Sequence, residues 1–183
     1  LQVQVVGGGI AGLAAALACS QSGANVHLCE QAAAIKEVGA GLQISPNGLA
    51  VLSRLGLKDA VADIADRAEA VDLRDYKDGK LVCRLDLKAH ASDLDFLLVH
   101  RADLIQTLFQ ACKAQGVRFA FSQRLSSQDL LSGAFGREAA ASPVDLVIGA
   151  DGVRSNMRTA LLSPSAPFFT GQVAWRALVS NSM

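Results

Sequence analysis

VVGGGIAGLAAALA, Val5 to Ala18, is the stretch that decides the fold. Just before it, Val3, Val5 and Val6 give Gln2 to Val6 the β-branched apolar content of a short buried strand. The glycines then force a tight turn. Ile10 to Ser22 is rich in Ala and Leu, predicts a helix, and stops near Gly23. Asn25 to Glu30 (NVHLCE) alternates polar and apolar residues and predicts a second strand. Strand, glycine turn, helix and strand within about 30 residues make a βαβ unit, whose two strands must run parallel.

The spacing Gly7-x-Gly9-x-x-Gly12 fits a turn built around a dinucleotide phosphate. Gly7 permits the turn out of the strand. Gly9 has no Cβ, so a pyrophosphate can approach the backbone. Gly12 lets the helix lie close to the strand. The helix N-terminus then offers free N–H groups and the positive end of its dipole. Glu30 ends the second strand, 18 residues after Gly12. A carboxylate there accepts from both hydroxyls of an adenosine ribose and repels a 2′-phosphate, so the ligand expected is NAD or FAD, not NADP.

Outward from this unit, the spacing predicts a loop over Lys36 to Asn47 and a helix from Pro46 to Leu55, with Ser45 as N-cap and Pro46 at the first helical position. A second short helix is expected over Leu57 to Ala65. Ala70 to Tyr76 and Lys80 to Leu85, joined through Lys77-Asp78-Gly79, read as a β-hairpin. Phe96 to His100 reads as a strand and Arg101 to Gln115 as an amphipathic helix with Leu104, Ile105, Leu108, Phe109 and Cys112 on one face. Val117 to Phe121 is a further strand, and Val144 to Ala150 (VDLVIGA) is apolar enough for a buried parallel strand. The fold class is therefore α/β, a Rossmann-like parallel sheet with a small antiparallel hairpin.

Composition narrows the function. Apolar residues make up 51% of 183, enough for a proper core. Seventeen basic residues balance seventeen acidic ones, so no bulk charge draws the chain to nucleic acid or to an anionic membrane. Cys19, Cys29, Cys83 and Cys112 form no C-x-x-C pair and read as reduced thiols of a cytoplasmic protein, not as metal ligands. The apolar stretch at the N-terminus is too short to span a bilayer and has no basic segment before it. His27, His90 and His100 pair with no Ser or Cys in a nucleophile arrangement, so no catalytic residue is assigned.

A second motif, DLVIGADGVRSNMR (Asp145 to Arg158), follows the last buried strand. Asp151 can orient a hydroxyl or a backbone N–H, Gly152 can permit close approach, and Ser155 can cap the helix carrying Arg158. The same residues also suit a plain strand–turn–helix connection, and the residues alone leave both readings open.

The chain resembles the N-terminal part of the class A flavoprotein aromatic hydroxylases, and more narrowly the salicylate hydroxylase and 3-hydroxybenzoate 6-hydroxylase group. The resemblance rests on Gly7 to Gly12 with Glu30, then EVGAGLQISPNGLAVLSRLGL (Glu37 to Leu57), HRADL (His100 to Leu104), GADGVRSNMR and GQVAWRALV (Gly171 to Val179), in family order and across essentially the whole chain. It implies FAD as cofactor, with Gly7, Gly9, Ala11, Gly12, Glu30 and Gln31 at its ADP half. Arg101 would sit on the flavin side, Gln43 in the segment near the isoalloxazine, and Asp151 and Gly152 would serve both FAD and NAD(P)H. Some relatives carry a histidine base where Gln43 stands; an amide cannot act as a base, which speaks against a hydroxypyridine-type mechanism.

The activity implied is hydroxylation of a phenolic or aromatic acid. NADH or NADPH reduces FAD, oxygen adds to form a C4a-hydroperoxide, and the ring receives a hydroxyl. The partners are a small aromatic substrate and oxygen, and a homodimer is compatible with the resemblance. A non-catalytic FAD or nucleotide-binding module is the alternative, and an NAD-dependent dehydrogenase a weaker one. The family's later G-D motif is absent and the first residue is not Met. The expectation is thus an incomplete FAD-binding domain over 1–165 and the beginning of a substrate-domain sheet over 166–183. Phe168, Phe169, Val173, Trp175 and Leu178 would there pack against chain that lies beyond this sequence.

Overall fold

The computed structural model describes residues 1–35, 41–91, 94–126, 128–129, 143–162 and 167–175. These divide into two compact units, one formed by the described residues within 1–38 and 105–177 and the other by those within 39–104.

The first unit is built on a parallel sheet. β1 (Gln2–Val6), α1 (Ile10–Gln21) and β2 (Asn25–Cys29) form the βαβ unit that the glycine turn predicts. β8 (Arg118–Ala120) adds beside β2 and β9 (Leu146–Gly149) beside β1, giving the order β8-β2-β1-β9. Val3, Val5, Val26 and Leu28 are buried, as are Leu13 and Leu17 of α1 and Ile105, Leu108 and Cys112 of α5 (Arg101–Ala114). The Cys112 thiol donates to the Leu13 carbonyl at 3.2 Å, which ties α5 to α1. Burial pushes the Cys112 thiol up to about 11, so it stays a neutral donor. Val6, Cys29, Ala120 and Leu125 form a second apolar cluster with Met157 of α6 (Asn156–Leu161). Val6 and Cys29 alternate with Val5 and Leu28 along their strands, so β1 and β2 bury apolar side chains on both faces of the sheet.

β9 differs from its expected burial. It is the edge of this sheet among the described residues, and Leu146 is 46% exposed. Pairing with β1 on one side only leaves β9 more exposed than its apolar run predicts.

The second unit carries a three-stranded antiparallel sheet, β3 (Gly41–Ile44), β7 (Leu97–His100) and β4 (Ala65–Arg67), in the order β3-β7-β4. The loop expected over Lys36 to Asn47 is in part this strand β3: Ile44 is buried, Gln43 exposed, and Gly41 conceals the alternation. The helix expected over Leu57 to Ala65 is only α3 (Lys58–Ala62), because Ala65 to Arg67 pair with β7 instead. α2 (Pro46–Arg54) starts with proline at its first turn, as expected. Ser45 precedes it in an extended conformation, but its hydroxyl bonds the Asn47 side chain rather than a helical N–H. The hairpin is present as β5 (Ala70–Arg74) and β6 (Leu81–Asp86). After it comes α4 (Leu87–His90), capped by Asp86, whose carboxylate accepts from the Ala89 N–H at 2.8 Å.

Of the 166–183 segment, where the resemblance implies the beginning of a substrate-domain sheet, only 167–175 are described. Among the described residues, Gly171 to Trp175 make no ladder pairing. Residues 176–179 and the boundary expected at 165/166 lie outside the described residues. Phe168, Phe169, Val173 and Trp175 are exposed.

Candidate functional site

The carboxyl ends of all four parallel strands open on one cavity of about 480 Å³. Ligands bind at this edge in open α/β sheets because loops and helix N-termini converge there. Val6 and the glycines after it come from β1, Cys29, Glu30 and Gln31 from β2, Gln123 to Leu125 from the segment after β8, and Ala150 to Gly152 with Arg154 and Asn156 from the segment after β9.

The glycine turn is built as the spacing requires. Gly7 has φ +106°, and a methyl there would overlap the Ala150 carbonyl. The Gly7 N–H donates to the Cys29 carbonyl at 2.8 Å, which continues the parallel ladder into the turn. A methyl at Gly12 would overlap the Gly7 carbonyl, so Gly12 is the contact of α1 with the turn. Gly9 differs in kind: a methyl there meets nothing within 4 Å, which is the open approach a pyrophosphate needs. Gly9 is also the N-cap of α1 and provides no side-chain cap, so the N–H groups of the first turn remain for a ligand.

Glu30 is half-buried and turned toward the glycines. Its Oε2 accepts from the Gly8 N–H at 2.6 Å and its Oε1 from the Ala32 N–H at 2.8 Å. The carboxylate is thus already oriented, and each oxygen keeps acceptor capacity for a hydroxyl. Gln31 beside it is exposed.

Asp151 lines the cavity and also caps the helix that follows its motif. Its Oδ2 accepts from the Asn156 N–H at 2.7 Å and the Met157 N–H at 3.1 Å. Ser155 Oγ accepts from the Arg158 N–H at 2.9 Å, as the expected cap. The Arg158 guanidinium donates to the Val153 carbonyl at 2.7 Å and braces the same loop. Gly152, at φ +80°, gives the loop a left-handed residue with open space around it. Asp151→Ala should therefore lower stability by about 1–2 kcal/mol through the lost helix cap, with Asp151→Asn losing less. Thermal unfolding measures this; a change in Asp151→Ala below about 0.5 kcal/mol would mean that Ser155 caps α6 alone.

The structure brings Gly7, Gly9, Glu30, Gln31, Asp151 and Gly152 to this cavity. Gly12 sits behind it, buried against the turn, and Ala11 is exposed in the first turn of α1. Gln43 and Arg101 belong to the second unit, Gln43 exposed on β3 and Arg101 half-buried at the start of α5. Sequence reasoning missed Gln123, Arg124, Leu125 and Arg154. Arg154 stands inside the quoted motif, and its cation next to Gly152 was the available signal. Gln123 to Leu125 carry no motif; only the placement of β8 beside β2 brings them in.

These residues fit the ADP half of a dinucleotide: an open glycine for the pyrophosphate, an oriented carboxylate for a ribose, and two arginines for phosphate charge. Among the described residues no group of His, Cys, Asp and Glu is arranged to hold a metal. No described helix is long and apolar enough to cross a membrane.

Comparison with known proteins agrees with the geometry. Residues 1–178 match the family described as FAD binding domain. The chain is 35% identical to 3-amino-4-hydroxybenzoate 2-monooxygenase of Streptomyces cremeus, over all of this chain and 47% of that protein. It is 33% identical to 3-hydroxybenzoate 6-hydroxylase of Polaromonas naphthalenivorans, over 99% of this chain and 47% of that protein. Among solved structures, the tetrameric form of 2-methyl-3-hydroxypyridine-5-carboxylic acid oxygenase superposes with a TM-score of 0.72 at 28% identity, covering 87% of this chain and 42% of that one. The chain therefore spans about half the length of the curated relatives it matches.

Proposed function

The chain belongs to the FAD binding domain family, and from that membership we propose that it is the FAD-binding portion of a monooxygenase that hydroxylates a phenolic or aromatic acid with NAD(P)H and oxygen. The observation that carries this is the cavity at the strand ends, with Glu30 oriented by Gly8 and the open face of Gly9 beside it. The curated relatives whose names specify hydroxybenzoates support the substrate class.

In this reading FAD, once bound, supplies the redox chemistry with NAD(P)H and oxygen. The chain's own residues bind and orient. The first-turn N–H groups of α1 take the pyrophosphate. Glu30 accepts from the ribose hydroxyls, with Gln31 next to it. Arg124 and Arg154 offset phosphate charge. Asp151 and Gly152 shape the loop that closes the far wall. Arg101 and Gln43 serve the flavin side. No residue of the chain is assigned a proton or group transfer. Cytoplasmic location and a homodimer belong to the same proposal.

The test has two readouts. The purified protein should show flavin absorption. In the full-length protein, salicylate or a hydroxybenzoate should accelerate NADH or NADPH oxidation and yield hydroxylated product. Bound flavin with neither acceleration nor product would remove the hydroxylase reading and leave a binding module.

A further inference from the structure

One buried polar chain in the first unit is left unused by the reading above. Gln4, in the middle of β1, is 1% exposed, and its neighbour in the β1–β2 register is His27, 9% exposed. Polar side chains at such depth are costly unless they bond one another. They do so in a line that runs toward the cavity. His27 Nδ1 lies 2.9 Å from Gln4 Oε1. Gln4 Nε2 donates to Cys29 Sγ at 3.2 Å, and the Cys29 thiol donates to Gln123 Oε1 at 3.4 Å. Cys29 and Gln123 both line the cavity.

The line has a direction. With His27 donating through Nδ1, Gln4 must accept through its oxygen and donate through its nitrogen. The sulfur then accepts, and the thiol proton is left for Gln123. Gln123 has accepted through its oxygen, so its two amide N–H donors remain for the cavity. The backbone holds Gln123 in place for this. Its N–H donates to the Glu30 carbonyl at 2.9 Å, and the preceding Ser122 N–H donates to the Ala32 carbonyl at 2.9 Å. Ser122 adopts φ 55°, a left-handed conformation that serine takes at a cost, and it turns the chain back onto β2.

We propose that Gln123 is a ligand-reading residue that donates to an acceptor on the adenosine end of the bound dinucleotide, and that Cys29 is the positioning residue that fixes which end of its amide faces the ligand. The strand order supports the adenosine end: β2 ends in Glu30, the ribose carboxylate, and β8, which leads to Gln123, lies beyond β2 on the side away from the glycine turn. Burial pushes the Cys29 thiol up, so it keeps the proton it must donate. This inference rests on the dinucleotide reading of the cavity.

The test is FAD titration of the full chain, followed by flavin fluorescence, with thermal unfolding of every variant. Gln123→Leu should weaken FAD binding about tenfold, the loss of one well-placed hydrogen bond. Cys29→Ala should weaken it about threefold, and Cys29→Ser, which retains a donor, should stay within about twofold of wild type. In the Gln123→Leu background, Cys29→Ala should add no further loss, because its effect runs through the amide. Equal losses from Cys29→Ala in both backgrounds would reduce Cys29 to packing and overturn the positioning role. Gln123→Leu within twofold of wild type would overturn the ligand-reading role while FAD binding itself stands. No FAD binding by the wild-type chain would instead overturn the dinucleotide reading, and this proposal with it.

Discussion

Gly12→Ala should unfold or severely destabilise the first unit, by about 3 kcal/mol or more, and abolish FAD binding with it. The added methyl would lie inside the van der Waals radius of the Gly7 carbonyl oxygen, and the Ala150 side chain is 3.3 Å away on another side. Neither neighbour is the free end of a flexible side chain. Gly7 is pinned by its bond to the Cys29 carbonyl, and Ala150 by its N–H to the Val6 carbonyl at 2.8 Å. Relief requires α1 to move off the sheet, which would open the packing around Leu13 and Leu17. The comparison that gives this result meaning is Gly9→Ala. There the methyl meets no atom within 4 Å and the backbone, at φ −76°, suits any residue. Its stability should stay within about 1 kcal/mol of wild type, the scale of an altered N-cap. FAD affinity should still fall at least about tenfold, because the methyl occupies the pyrophosphate's approach. Denaturant unfolding and flavin titration on both variants separate the two roles. A Gly12→Ala protein as stable as wild type, or a Gly9→Ala protein that binds FAD undiminished, would show that the turn is not used in this way.

That contrast between Gly12 and Gly9, two glycines of the same motif, marks how far local sequence reaches. The spacing alone assigns Gly12 to packing and Gly9 to the ligand, since each role follows from steric rules of a strand–turn–helix. β1, α1 and β2 were legible for a related reason: each is a run of one periodicity, with Gly7 after β1 and Gly23 after α1. β3 and β4 were not. They are four and three residues long, and both exist by pairing with β7, far away in sequence. Nothing in Ala65 to Arg67 favours a strand until that partner is present.

The site divides in the same way. Glu30 was legible because its distance from the glycine turn is set by one helix and one strand. Gln123, Arg124 and Leu125 were not, because their place depends on β8 adding beside β2, a choice of strand order that local patterning does not encode. Gln4 is the sharpest case. A polar residue amid Val3, Val5 and Val6 reads as an imperfection in a buried strand. The parallel register that sets Gln4 opposite His27, and its bond to Cys29, link it to a residue that lines the cavity. Asp151 shows the reverse: its position was legible, but only the structure shows one of its oxygens bonded to the N-terminus of α6.

Glu30→Ala should weaken FAD binding by about tenfold to a hundredfold, the range for hydrogen bonds to a charged group. The carboxylate has one duty in the structure and a second in the proposed complex. It accepts the Gly8 and Ala32 N–H groups, and through them it holds the glycine turn against the end of β2. In the proposed complex it also accepts from the ribose hydroxyls. Alanine removes both, so part of the loss comes from a turn that is less well ordered before binding. Glu30→Gln separates the two. The amide retains one acceptor oxygen but places an N–H₂ group where the second acceptor stood, and it carries no charge. It should lose affinity less than alanine does, and its repulsion of a 2′-phosphate should disappear. Titration with 2′,5′-ADP against 5′-ADP reads this directly: wild type should prefer 5′-ADP, and Glu30→Gln should narrow the preference while binding both. If Glu30→Ala binds FAD within about twofold of wild type, the carboxylate serves the turn alone, and the ribose must be held from the other wall of the cavity, where Gln123 and Arg124 stand.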